Sequence, residues 1–269
     1  MHFNLKEKVT SKLYDADLDF LRQISDEDLV PLVKILTDPI SETLTINEKY
    51  KAHNPKHGKY VDEIINEIHG FGGNTIFNIF RGHGVLYREI LLDVCKKLKM
   101  KNIQYYKSLP IDEVEFMLIE EGLRVKLEKL SEGERAAFLS DLGLESKNST
   151  NITTDVVIMS VRQAIQKGGF TSYKIILKIV NFVWNATFGL IFGGLSLSTN
   201  ALIVKTTKII ASTPVAVAMG IWTIFDIASP AYRVTVPAVY CIASLRLRYK
   251  YENLIEQDKE FMEIENSKK

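Results

Sequence analysis

The chain is predicted to be all-α, a multi-helix N-terminal domain followed by a very apolar C-terminal helical hairpin region. Three observations predict it. Apolar residues recur at spacings of three and four almost throughout, the period of a helix with one buried face. Helix-start chemistry opens several of these runs, and no Asn-Gly or Asp-Gly turn joins two alternating stretches. Charge is also unevenly spread: to about Thr150 it recurs every three to five residues, whereas Ile179–Leu245 holds only Lys205, Lys208, Asp226 and Arg233.

In chain order, Leu18, Leu21 and Ile24 share one helical face, and Ser25 with Asp26, Glu27 and Asp28 forms an acidic cap for the helix of Leu29, Val33 and Leu36. Pro31 is tolerable there if it falls in the first turn. Thr37–Lys59, with Pro39, Pro55 and Gly58, reads as loop with about one helical turn. Tyr60–His69 is a helix, which Gly70 stops in a left-handed cap. Asn74 or Thr75 caps a short helix to Arg81; after the Gly82-His-Gly84 break, Leu86, Ile90, Val94 and Leu98 mark the next.

Leu118–Leu130 is a further helix, and Ser131-Glu-Gly-Glu134 is a capping box for one ending near Leu142-Gly143. Glu145–Thr154 is the best linker. A helix over Thr154–Gln166 and the break Gly168-Gly169 then lead into the apolar region, where the β-branched run Val234–Val239 leaves a strand open. The expected divisions are a short helical segment at 1–40, a charged helical domain at 41–147, an apolar helical domain at 148–252 and a charged tail at 253–269.

Formal net charge is +1, from 34 basic and 33 acidic residues, which argues against a nucleic-acid binder. Cys95 and Cys241 are too few and too far apart for a disulfide scaffold, so reduced core cysteines are expected. Met1–Lys8 lacks a secretory apolar stretch, so the expected location is the cytoplasm, with the inner membrane as the place of association if lipid covers the apolar region.

Each candidate site in the sequence also has a structural reading. Gly70-Phe-Gly-Gly-Asn-Thr, with Gly72, Gly73 and Asn74, invites a phosphate-loop reading, but it follows a helix and lacks the Gly-Lys-Ser/Thr ending. Gly73 and Gly84 are therefore expected as turn positions. His53 and His57 are split by Pro55, and a carboxylate–histidine site can be drawn from His69, His83, Asp62, Glu63 and Glu67 without any spacing that demands a metal. Arg81, Arg88, Glu89 and Asp93 around Cys95 are expected to be surface ion pairs. No catalytic residue, cofactor or metal is predicted, and the sequence sets no oligomeric state.

Ile179–Val204 is uncharged and longer than the roughly 20 residues that span a bilayer. Gly189 and Gly193 have the small-xxx-small spacing of close helix packing in lipid. Ile209–Phe225 repeats the pattern, which places Lys205 and Lys208 at the tip of a hairpin. Asn181, Asn185 and Asn200 count against insertion. The alternatives are a buried hairpin in a helical domain and one released to a bilayer. Phe188, Gly189, Gly193 and Trp222 are the candidate contacts with lipid or a membrane-protein client. Asp226 and Arg233, two helical turns apart with Pro230 between them, are expected to pair.

Phe71-Gly-Gly-Asn-Thr-Ile76, Phe80-Arg81-Gly82, Gly84–Leu91, Asp93-Val94-Cys95, Gly168-Gly-Phe170 and Ser229–Pro237 resemble the YaaW-type family of uncharacterised bacterial proteins. Asp17–Leu21 and Asp28–Val33 are similar to the short segment that often precedes that family's main domain. The family is sometimes grouped with ubiquinol–cytochrome c chaperones, which implies an assembly or chaperone role; the resemblance transfers no catalytic residue. The leading expectation is a non-enzymatic helical protein whose apolar region engages a membrane or membrane-protein client. An enzyme using Gly70–Asp93 is the second reading and a membrane-permeabilising effector the third.

Overall fold

A computed structural model describes residues 14–37, 43–73, 85–144, 151–188 and 230–267, with the backbone alone at 71–73, 169, 170, 186, 230, 231 and 254–267. Every regular element among the described residues is helical, so the protein is all-α. The chain forms two compact units. One comprises Met1–Lys97 with Ile227–Val239, the other Leu98–Asp226 with Tyr240–Lys269.

In the first unit, a 3-10 turn over Ala16–Gln23 precedes α1 (Asp26–Leu36). Ser25 caps α1 as its sequence predicts, its Oγ accepting from the Asp28 amide at 3.2 Å. Pro31 is not in the first turn but inside the helix, where it is buried beside Leu32 and Leu36. Thr37–Lys59 is more helical than expected, with helical turns at Thr43–Ile46, Glu48–His53 and His57–Tyr60. Asn47 caps the second of these by accepting from the amides of Lys49 and Tyr50.

Helix α2 (Val61–Gly73) buries the expected Ile64, Ile65 and Ile68. It does not stop at Gly70, which is exposed, lacks a positive φ and lies within the helix. Glycine weakens a helix without ending it when the next turn supplies the hydrogen bonds. Helix α3 (Tyr87–Lys97) buries Ile90, Leu91, Val94 and Cys95. Leu86 precedes the helix and is exposed, so it is not on the buried face expected for it.

The second unit holds a one-turn helix at Ile103–Tyr106, then α4 (Ile111–Leu127), α5 (Glu132–Asp141), α6 (Thr154–Gln166) and α7 (Gly169–Thr187). The Ser131–Glu134 capping box is present in both directions. Helix α5 ends where expected, with Gly143 at φ +76°. The expected linker is partly packed: Ile152 is buried and donates its amide to Glu132, and Thr153 caps α6. At φ +72°, Gly168 occupies the left-handed region between α6 and α7 that only glycine enters without strain.

Helix α8 (Pro230–Ser267) contributes its first part to the first unit and the remainder to the second. Val234–Val239 is helical despite its β-branched residues, and Val234–Leu245 is buried at every position. A helix apolar on all faces needs neighbours all round, which overrides β-branched propensity. Pro230 begins this helix, at the position where a missing amide is harmless.

The apolar run beginning at Ile179 enters the core of the second unit. Helix α7 carries a polar stripe of Lys174, Lys178, Asn181 and Asn185 at spacings of four, three and four, while Ile175, Ile176, Ile179, Val180, Phe182 and Val183 are buried. Up to Phe188 it is therefore an amphipathic helix whose asparagines form its polar face. No described helix is long and apolar enough to cross a membrane.

Candidate functional site

The described residues concentrate buried polar chemistry in a few places. In the first unit Asp15 and His69 are both almost completely enclosed. The Asp15 Oδ2 atom accepts from His69 Nε2 at 3.0 Å and from the Tyr87 amide at 2.7 Å, and Oδ1 accepts from the Asp17 amide at 3.0 Å. Burial pushes this carboxyl up, but His69 and the two amides outweigh it and hold it below the usual carboxylate range. His69 Nδ1, the other ring nitrogen, is buried and has no hydrogen-bond partner among the described residues.

Elsewhere in the first unit, His57 is buried with Nδ1 at 2.5 Å from Tyr60 Oη, which also reaches Asn54. Burial lowers the His57 pKa, opposed by Asp26 and Glu27, and pushes the Tyr60 phenol up to about 12.

Two of the carboxylates of the carboxylate–histidine arrangement are engaged elsewhere. Asp62 pairs with Arg22, and Glu63 pairs with Lys49 at 2.8 Å. No group of three or more ligating side chains occurs among the described residues. Nor do Arg88 and Asp93 gather around Cys95. Arg88 lies 3.6 Å from Asp17, and Asp93 accepts from Tyr232 Oη at 2.7 Å. Burial pushes the Cys95 thiol up to about 12, which leaves it an unreactive core residue; Cys241 is also free and buried.

In the second unit, one face of α4 carries Glu115, Leu118, Gly122 and Lys126 into the core. Glu115 accepts from Arg246 Nε at 2.6 Å, and Arg248 and Tyr173 both reach Glu252. Burial brings the Lys126 pKa down to about 7, with Lys129 adding to the shift. At the end of α7, Phe188 packs against Trp184 and Tyr240, with ring centres 5.1 and 5.5 Å apart. Phe188 is 1 % exposed, so it is enclosed by protein and is not the free lipid or client contact expected of it.

Gly72 and Gly73 close α2, and Pro230 opens α8. Arg233 is exposed, so burial does not require it to have a partner. Asn74, Arg81, Gly84, Gly189, Gly193, Trp222 and Asp226 lie outside the described residues. Sequence reading missed Asp15, Glu115, Lys126 and Tyr232. For Glu115 and Lys126 a signal existed: with Leu118, Gly122 and Leu123 they complete one helical face.

A "UPF0174 protein" of Helicobacter pylori (strain J99) is 33 % identical to this chain over 259 residues, covering 94 % of it and 98 % of the relative. The chain belongs to the UPF0174 family. A second member, from H. pylori strain 26695, is 32 % identical over 78 % of the chain and 99 % of its own length. The "UPF0174 protein YaaW" of Escherichia coli K12 is 39 % identical over 136 residues, 47 % of this chain and 56 % of YaaW. Residues 13–38 match the domain of unknown function DUF3944. No solved structure matches. The UPF0174 assignment agrees with the motif blocks quoted above, and the DUF3944 match begins just before Asp15.

Proposed function

We propose that this UPF0174 protein is a non-enzymatic helical protein whose apolar stretch beyond Phe188 engages a membrane or a membrane-protein client, in an assembly or chaperone-like role. The observation that supports it is the contrast with α7. That helix keeps a polar stripe and packs as a core element. Residues 189–229 carry only three charges, Lys205, Lys208 and Asp226, with the lysines grouped mid-stretch. At roughly 25 cal/mol per Å², so apolar a stretch gains strongly from a cover, and lipid or an apolar client surface would supply one.

Flotation of the full chain with phosphatidylethanolamine–phosphatidylglycerol liposomes tests this. Wild type and Val30→Asp, at an exposed position of α1, are expected to float, whereas Phe192→Asp and Trp222→Asp are expected to stay at the bottom. If wild type neither floats nor cross-links to a membrane protein, the proposal fails. Dye release on binding would instead mark a permeabilising effector.

The buried Asp15–His69 pair favours a second reading, an enzyme using Gly70–Asp93, because a carboxylate-oriented imidazole with an uncommitted nitrogen is the arrangement of a general base. A nucleotide and metal binding screen separates the two readings.

A further inference from the structure

The residue before α3 is Leu86, which has no side-chain acceptor for the first amides of that helix. Asp15, far away in the sequence, supplies one by accepting from the Tyr87 amide at 2.7 Å. The same oxygen accepts from His69 in the last part of α2, 3.0 Å away. One buried carboxylate thus ties the end of α2 to the start of α3, and its other oxygen fixes its own 3-10 turn through the Asp17 amide. Two weaker links run beside it: the Val85 amide to the His69 carbonyl at 3.5 Å, and Arg88 to Asp17 at 3.6 Å. Asp15 and Asp17 both lie within the stretch matched by DUF3944.

We infer that this N-terminal segment is a clasp on the α2–α3 junction, with the Asp15 carboxylate as its pin, so that local opening of α3 away from α2 is governed by one side chain outside both helices. Both carboxylate oxygens receive N–H donors, so an amide at this position must turn its own NH2 against one of them. An anion at the start of a helix is favoured by the helix dipole, whereas an amide gains much less. Helix α4 belongs to the other unit and serves as the internal reference.

Hydrogen exchange of the full chain under native conditions tests the inference, comparing wild type with Asp15→Asn. Amides of Tyr87–Lys97 are expected to exchange at least about tenfold faster in the variant, the factor that a single buried charged hydrogen bond represents, while those of Ile111–Leu127 keep their wild-type rates. Unchanged exchange in α3, or equal acceleration of α3 and α4, would overturn the clasp. Should Asp15→Asn fail to fold, His69→Gln keeps the carboxylate and its two amide contacts and is expected to speed α3 exchange to a lesser degree. No acceleration in that variant would overturn the inference too.

Discussion

Gly122→Ala gives the sharpest test of the packing in the second unit. A Cβ built at Gly122 would lie 2.9 Å from Val183 Cγ1, 3.1 Å from Tyr240 Oη and 3.2 Å from Tyr240 Cε1. Both neighbours are themselves buried, Val183 on α7 and Tyr240 on α8, so neither can simply swing into solvent. Overpacking of this kind costs about 1–3 kcal/mol. Moving Tyr240 also disturbs the hydrogen bond from its hydroxyl to the Leu118 carbonyl, 3.2 Å long, worth about 1 kcal/mol. Against this, alanine is a better helix former than glycine by about 1 kcal/mol. The last two offset each other, which leaves a net destabilisation of about 1–3 kcal/mol. Gly70→Ala is the matched control, also helical but with nothing within 4 Å of the new carbon, and it should stabilise by up to about 1 kcal/mol. Urea unfolding followed by circular dichroism, with hydrogen exchange of α4 reporting the second unit separately, reads both. A Gly122→Ala protein as stable as Gly70→Ala would refute the close helix crossing.

Two further predictions concern pH. Lys126 is lowered to about 7 when folded, whereas the unfolded lysine keeps its proton up to about 10.5. Between those values the unfolded state binds more protons, so this group adds stability as pH rises. Lys126→Met should therefore raise the melting temperature at pH 7, and its advantage over wild type should shrink as pH approaches 10; an advantage constant with pH would contradict the buried lysine. His57 has a folded pKa below the ordinary 6.5, through burial. Stability should accordingly fall as pH drops below about 6.5 and level off below the folded pKa, and His57→Gln should flatten that part of the profile. Equal acid sensitivity in wild type and variant would show that His57 is solvated.

Much of the fold is legible in local chemistry. Ser25 and the Ser131–Glu134 box place helix starts correctly because each needs only neighbours within one turn. Gly70 misleads because glycine marks a stop only when the backbone turns left-handed, and here the helix continues. Val234–Val239 misleads because β-branched propensity is outweighed when a segment is surrounded on all sides. The polar stripe of α7 escapes a reading based on charge alone, since half of it is asparagine. Asp15 is the least legible of all. Its partners are 54 and 72 positions away, and nothing local distinguishes it from Asp17 or Asp19.

We propose that the stretch beyond Phe188 takes its cover from a membrane or a membrane-bound client. Fractionation of bacteria producing the tagged full chain, before and after a carbonate wash, tests it most directly. The protein is expected to sediment with membranes in mild buffer, resisting carbonate if lipid is the cover and released by it if a client protein is. A protein found wholly in the supernatant before any wash, monomeric and stable without detergent, would contradict it and leave the stretch as a buried part of the helical core.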